Sequence, residues 1–427
     1  MTACSQTNRI DANLRIKAHF LEPNEKPVRN LMEPSVIPTI SSSPAPSASN
    51  SSTKSQSLPN DGIEEIAEGS VESTTLERPA LVGTSWVKNI WYFALPSDHV
   101  KKGKTVSMHL LGDLILIGRK SDGTVFAMRD ICPHQGAPLS FGDFDGKEVS
   151  CPFHGWKFDS DGVCTDIPAL CSDQKINICK IKTRSYPCRE ADGNIWLYYG
   201  EPRAELPEIP RANGLDGLKY DQTVSRVIVP THMDYAVVAL IDPAHVPYVH
   251  KSWWWRNSKA LKEKKKHYVP SGTGWTMVKH SPSKGSFIFK LLGDFMETEI
   301  AFRLPGCRTE YITLFGRTLV ASMTTVTPID ETNCELNHTS YWTIPGIKWF
   351  LKPIVNAIAD EFLGQDLQIA QRQQIGLKFK PKLTMIVKDS GLPGSWYFQG
   401  KREWNNATEE GRPFVNPVKE KILRWMT

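Results

Sequence analysis

The sequence predicts an α+β fold: a small all-β module followed by a larger domain in which helices flank an antiparallel sheet. From Leu81 to about Arg203 the chain is built of short runs rich in β-branched and aromatic residues, such as SWVKNIWYFAL, TVFAMRD and NIWLYYGE. Ser-Asp-Gly or Asp-Gly at 121–123, 145–146, 160–162 and 192–193 separates these runs in the manner of hairpin turns. Beyond them, WTMVKHS, SFIFKLL, METEIAFRL, EYITLFGRTLVASMTTVTPI and NHTSYWTIP succeed one another with no helix between, which implies antiparallel pairing. Helical patterns fall near 232–250 and 350–378, segregated from the strands.

These textures divide the 427 residues into an extension (1–80), a β module (85–203) and a larger domain (204–427). The extension holds PSVIPTISSSPAPSASNSSTKSQSLPN, with ten serines and almost no large apolar side chains, so it has too little to bury to offset the entropy of ordering. Asp11, Glu22 and Glu25 argue against a cleaved transit peptide, which is acid-poor, and no apolar segment of signal type opens the chain. Lys plus Arg number 51 against 46 Asp plus Glu, a balance too mild to indicate nucleic acid. No run of 18 apolar residues suggests a membrane span; IPGIKWFLKPIVNAIADEFLG carries Lys348 and Lys352 and reads as an amphipathic buried helix. Nine cysteines in so long a chain are not a disulfide framework, and a reducing, cytoplasmic setting is expected. Cys164, Cys171, Cys179 and Cys188 lack Cys-x-x-Cys spacing and are expected to be mostly small buried side chains rather than a further metal site.

The chemistry begins at ICPHQGAPLSFGDFDGKEVSCPFHGWKF. Cys132 and His134 form a Cys-x-His pair, and sixteen residues separate it from the Cys-x-x-His pair Cys151 and His154. Two thiols and two imidazoles suit a structural zinc, but zinc sites usually draw on tight Cys-x₂₋₄-Cys knuckles and a helical His pair. Here each loop mixes one Cys with one His, followed by Pro133 and Gly136 or by Pro152 and Gly155. Such matched loops suit a two-iron cluster in which one iron takes both cysteines and the other both histidines, with a potential raised by the neutral imidazoles. The stretch resembles the Rieske [2Fe–2S] motif, including the Gly155-Trp156 that follows it in oxygenases. The resemblance implies Cys132 and Cys151 on the inner iron, His134 and His154 on the outer.

A second constellation decides between electron carrier and enzyme. HMDYAVVALIDPAHVPYVHKSWWW places His245 and His250 five residues apart, about 140° from each other on an ideal helix. Pro247 between them is expected to break the helix and let the second imidazole swing round to the first. With a carboxylate the pair would make the two-histidine, one-carboxylate face of a non-heme iron site. Asp242-x₂-His245-x₄-His250 resembles the mononuclear iron motif of Rieske non-heme iron oxygenase α subunits, a similarity that covers roughly residues 85–380. It implies a third ligand from the helix IADEFLGQDLQIAQRQQ, with Asp366 in place and Asp360 and Glu361 as fallbacks; Gln365 stands where a second acid is common, so the match there is looser.

Asp242 precedes His245 by three residues and on a helix would share its face, suited to accept the spare imidazole N–H. An N-cap before Pro243 is the alternative role. In the resembled family the equivalent Asp also bonds a cluster histidine, here His154, from the next subunit of a homotrimer. No dinucleotide fingerprint appears, so electrons are expected from a separate ferredoxin or flavin reductase. The basic run KALKEKKKH (259–267) reads as a solvated loop or a docking patch for an acidic ferredoxin. The resemblance implies O₂ and an aromatic or other cyclic hydrophobic substrate. Within the family the layout is similar to the vanillate O-demethylase and pheophorbide a or chlorophyllide a oxygenase group. The ending NPVKEKILRWMT lacks the anchor and Cys-x-x-Cys of plant members, against a plastid-membrane enzyme. The competing reading is a Rieske electron carrier whose second domain is not catalytic; His245, His250 and Asp366 discriminate the two.

Overall fold

The computed structural model describes residues 86–250, 261–281, 295–343, 348–381, 383 and 386–426. The N-terminal extension, KSWWWR, SFIFKLL and the start of the basic run lie outside the described residues.

The first part is all-β. The strands β1 (Ile90–Pro96), β2 (Lys104–Leu110), β3 (Asp113–Arg119), β4 (Val125–Arg129), β5 (Asp143–Phe144), β6 (Val149–Ser150), β7 (Lys157–Phe158), β8 (Cys164–Asp166), β9 (Ser185–Tyr186), β10 (Cys188–Ala191) and β11 (Asn194–Tyr199) follow one another. They form three antiparallel sheets, ordered β1-β11-β10, β2-β3-β4-β9 and β5-β6-β7-β8. All four Asp-Gly signals fall in hairpin connections, at β3–β4, β5–β6, β7–β8 and β10–β11. Asp192 and Gly193, the two residues between β10 and β11, both have positive φ (49° and 71°), the backbone a two-residue hairpin needs.

Among the described residues the second part is one eight-stranded antiparallel sheet with its α-helices on a single face. Its strands are β12 (Asp221–Val229), β13 (Glu263–Ser271), β14 (Gly274–His280), β15 (Met296–Arg303), β16 (Cys307–Leu314), β17 (Arg317–Pro328), β18 (Cys334–Trp342) and β19 (Lys421–Met426), ordered β12-β18-β17-β16-β15-β14-β13-β19. The helices are α1 (Met233–Ile241), α2 (Val246–Val249), α3 (Lys348–Leu377) and α4 (Lys388–Glu409). The fold class is the expected α+β arrangement.

Period-two alternation gives the sheet two unlike faces. Cys307, Tyr311, Ala321, Met323 and Tyr341 point to one side and pack with Trp91, Phe93, Trp196 and Tyr198 of β1 and β11. The opposite side takes the helices: Thr223 of β12 is hydrogen-bonded to Asn356 of α3, and Val326 packs in one core with Val237 of α1 and Trp396 of α4. A buried ion pair ties α4 to α1, with Lys401 Nζ 2.9 Å from both carboxylate oxygens of Asp234 and the Tyr397 hydroxyl donating to the same group.

Several expectations are corrected. The helix over 232–250 is two helices, and the break is not at Pro247. It is at Asp242, whose extended backbone (φ −72°, ψ 116°) is what the following Pro243 enforces, while Pro247 is accommodated in the first turn of α2. EYITLFGRTLVASMTTVTPI is a hairpin, turned at Phe315 and Gly316 with positive φ at both. From Glu263 on the basic run is strand and not loop: Glu263–Ser271 is β13, so Lys264 and Lys266 turn half inward while Lys265 faces out. The helix α3 is not buried all round, since Ile354, Ile358, Ile369 and Ile375 are exposed on its outer side. Neither α4 nor β19 was anticipated. Of the accessory cysteines, Cys164, Cys307 and Cys334 are buried, whereas Cys171 is exposed and Cys179 and Cys188 are intermediate.

Candidate metal centres

The loops after β4 and β6 are built alike. In CPHQGA the Cys132 amide donates to the Ala137 carbonyl (2.9 Å) and the Gly136 amide returns to the Cys132 carbonyl (2.9 Å). In CPFHGW the Cys151 amide donates to Trp156 (2.8 Å) and the Gly155 amide returns to Cys151 (3.0 Å). Gly136 and Gly155, at the equivalent place, have φ of 79° and 70°, which a side chain would strain. Cys132 and Cys151 are buried while His134 and His154 are exposed. The imidazoles face one another with centroids 4.7 Å apart, and Trp156 stacks on His134 at 4.4 Å. Burial pushes the Cys132 thiol pKa up; the His134 amide opposes this and the adjacent Cys151 thiol adds to it. Asp130, fully buried behind the first loop, accepts from the Ser140 amide and the Ser107 hydroxyl.

The four side chains do not converge on one point. Among the described residues the only set of three or more His, Cys, Asp or Glu ligand atoms lying within 4.8 Å of one another is elsewhere. A tetrahedral zinc with ~2.0–2.3 Å bonds would need such convergence. Two buried thiols at one end and two exposed imidazoles at the other fit a group as long as a two-iron cluster.

That convergent set is His245, His250 and Asp366. Asp242 caps the C-terminus of α1, and His245 and His250 flank the single turn of α2. The two Nε2 atoms lie 3.3 Å apart, and His250 Nε2 is 3.4 Å from Asp366 Oδ1. Metal–ligand bonds of ~2.1 Å at near right angles put ligand atoms about 3 Å apart, so the set is already close to a facial arrangement. Each imidazole is anchored by its other nitrogen. His245 Nδ1 donates to the Asp242 carbonyl (2.6 Å) and His250 Nδ1 to Gln365 Oε1 (3.0 Å), leaving both Nε2 lone pairs turned to the centre. Phe362 stacks on His250 with ring centroids 3.5 Å apart. Ala359, Phe362, Leu363, Asp366 and Ala370 recur at three- and four-residue spacing, so one stripe of α3 presents Asp366 together with the apolar packing.

Burial lowers the pKa of His245 and lowers that of His250 to about 4, keeping both imidazoles neutral as metal ligands must be. Burial raises Asp366 to about 7, with the Arg308 guanidinium opposing. Of the three acids considered on α3, the structure brings Asp366 to the histidines, whereas Asp360 and Glu361 are exposed. The Asp242 carboxylate neither shares a helical face with His245 nor caps a helix N-terminus, because α1 has ended; its Oδ1 accepts the Ala244 amide (2.8 Å) and only its backbone oxygen meets His245. Gln365 is the functional partner that sequence reasoning passed over. Its place one residue before Asp366 was the available signal.

Residues 90–187 match the family described as the Rieske [2Fe-2S] domain. Chlorophyllide a oxygenase of Chlamydomonas reinhardtii is 33% identical over 168 residues, 39% of this chain and 25% of that protein. Cholesterol 7-desaturase of Drosophila melanogaster is 29% identical over 286 residues, 62% of this chain and 65% of that one. The crystal structure of dicamba monooxygenase bound to dicamba superposes with a TM-score of 0.60 at 21% identity, covering 77% of this chain and all of that one. The chain thus carries a Rieske [2Fe–2S] domain and is a homologue of Rieske-type oxygenases, whose fold it shares. It spans less than half the length of the first curated relatives it matches.

Proposed function

We propose that the chain is the oxygenase component of a Rieske-type system, using O₂ and electrons from a separate ferredoxin or flavin reductase to hydroxylate or demethylate a small cyclic hydrophobic substrate. The observation that carries the reading is the convergence of His245, His250 and Asp366 in a chain that also holds a Rieske domain. An electron carrier has no use for that second site. Cys132, Cys151, His134 and His154 would hold the cluster, and the convergent set a mononuclear iron. Bound there, the iron supplies the activation of O₂ that no side chain can provide. The chain's own part is positional. The Asp242 carbonyl and Gln365 retain the Nδ1 protons, so both Nε2 atoms stay available, and three ligands on one face leave the other side open to O₂ and substrate.

Electron delivery is assigned to Asp242 and a homotrimer. His134 and His154 stand at the surface with the exposed Phe153 ring against His154, which supports their meeting another chain. Asp242 is half-buried with one oxygen engaged by Ala244, leaving the other to take an imidazole N–H from His154 of a neighbouring subunit. Among the described residues no helix is long and apolar enough to cross a membrane.

The relatives act on cyclic, largely apolar molecules of two kinds: cholesterol is a neutral alcohol, whereas chlorophyllide and dicamba carry carboxyl groups. The test is oxygen uptake by reconstituted protein with a surrogate reductase and ferredoxin, offered sterols, chlorins and aromatic acids under ¹⁸O₂. The reading expects substrate-dependent uptake and an oxidised product in at least one class; reduction and reoxidation of the cluster with no product in any class would contradict it.

A further inference from the structure

The helix-covered face of the sheet is more polar than a site for a plain hydrocarbon needs. Across β12, β18, β17 and β16 the register aligns Thr223, Ser340, Ser322 and Glu310 in one row, and Ser225, His338, Thr324 and Arg308 in the next. The Thr223–Asn356 bond to α3 places both rows on the side of the sheet from which Asp366 projects. Arg308 Nη2 donates to Glu310 Oε2 at 2.9 Å, and the two side chains keep 22% and 27% of their surface exposed. Among the described residues neither has another hydrogen-bond partner, so most of the guanidinium's five N–H groups and one carboxylate oxygen are unengaged. Beside them Thr324 Oγ1 and His338 Nδ1 share a hydrogen bond of 2.8 Å, and the Ser225 hydroxyl is buried with no partner. Burial, followed by the Arg308 charge, pushes His338 down to about 4, so that row adds no second cation at neutral pH. The Arg308 charge is felt at the convergent ligands as the smallest of the influences on each: it adds to burial at His245 and His250 and opposes it at Asp366, consistent with its place on the helix-covered face.

We infer that Arg308 and Glu310 form the recognition pair for a neutral hydroxyl group on a polycyclic substrate, making the substrate a sterol-type alcohol and selecting against carboxylic acids. The inference rests on the oxygenase reading above and narrows its substrate class. An apolar skeleton alone would strip water from the pair and return no hydrogen bond. A carboxylate would gain Arg308 but lie against the Glu310 charge, already the guanidinium's partner. A hydroxyl is donor and acceptor together: it gives its proton to Glu310 and takes one from Arg308, so both charged groups stay satisfied when water leaves. Lys264 and Lys266 share this face of the sheet but stand three strands away on β13, about 14 Å at ~4.8 Å per strand. They are too far to neutralise an acid held at Arg308.

The experiment is equilibrium binding to the anaerobic holoprotein of three probes: cholesterol, cholest-5-ene, which lacks the hydroxyl, and 5β-cholanic acid, which replaces it with a carboxyl group on the side chain. Cholesterol is expected to bind at least about tenfold more tightly than either of the others. In Glu310→Gln the acid is expected to gain about tenfold and cholesterol to lose a similar factor, because the guanidinium is freed of its opposing charge while the hydroxyl exchanges a carboxylate acceptor for a weaker amide oxygen. A merely structural role for the pair would move all three affinities together. Wild-type protein that binds the acid or the hydrocarbon as well as cholesterol overturns the inference, with no variant needed. So does a Glu310→Gln protein whose acid-to-alcohol ratio is unchanged. The affinities are measured without turnover, so product formation from an acid alone would refute this inference and leave the oxygenase reading standing. Selective cholesterol binding by protein that never consumes O₂ would do the reverse.

Discussion

Replacing Gln365 by Leu should weaken the mononuclear site while sparing the cluster. Gln365 Oε1 is the acceptor for His250 Nδ1 at 3.0 Å, and His250 is 1% exposed, so no solvent replaces the lost partner. When metal occupies Nε2 the proton must sit on Nδ1, and in the variant that N–H is buried without an acceptor, at a cost of about 1–3 kcal/mol. The metal-free imidazole escapes part of this by shifting its proton to Nε2. The difference therefore falls on the bound state, a loss of about 5- to 150-fold in affinity, in the range found for partners that orient metal ligands. Anaerobic Fe(II) titration against a chromophoric chelator reads it, with the visible spectrum of the cluster as internal control. Gln365→Glu, which keeps an acceptor, should hold affinity near wild type. Iron binding by Gln365→Leu within twofold of wild type would refute the orienting role.

Metal affinity at the same site should be flat above pH 8 and fall by about tenfold per unit as the pH drops below about 7, because Asp366, raised to about 7, takes up a proton that competes with the metal, while His250, at about 4, stays neutral throughout; the chelator titration at several pH values checks it, and a slope spread evenly from pH 4 to 8 would point to a histidine instead. Lys401→Met should lower stability by about 3–5 kcal/mol, since Asp234 is left buried with its cation gone, and chemical denaturation measures the loss. Asp242→Asn should preserve cluster and iron yet slow single-turnover reoxidation of the reduced cluster by orders of magnitude, as stopped-flow absorbance would show; an unchanged rate would remove Asp242 from the electron path.

Much of the fold was legible because its signals are local. Each of the four Asp-Gly signals of the β module lies at a hairpin, and alternation such as CRTEYITL maps directly onto a two-faced strand. The helix α4 was not legible: Gly391, Pro393, Gly394 and Gly400 speak against a helix, and burial of Trp396, Tyr397 and Phe398 together with the Lys401–Asp234 pair outweighs them. β19 carries a readable alternation, with Leu423 and Trp425 in and Ile422 and Met426 out, but in a six-residue segment whose partner β13 lies about 150 residues earlier. The histidines and cysteines of the site were readable from spacing. Their supports were not, because they act through the backbone or through long-range contacts: the Asp242 carbonyl rather than its carboxylate, and Gln365 across 115 residues. Pro243 shows the limit well. Two prolines bracket His245, and only the geometry of Asp242 tells which one ends the helix.

The central claim is that one chain holds a two-iron cluster and a separate mononuclear iron on His245, His250 and Asp366. Iron and acid-labile sulfide analysis of anaerobically reconstituted protein, alongside His245→Ala and Asp366→Ala, tests it most directly. The account predicts three irons and two sulfides in the wild type, and two irons with two sulfides and an unaltered cluster spectrum in either variant. Two irons in the wild type, or three retained in both variants, would contradict it.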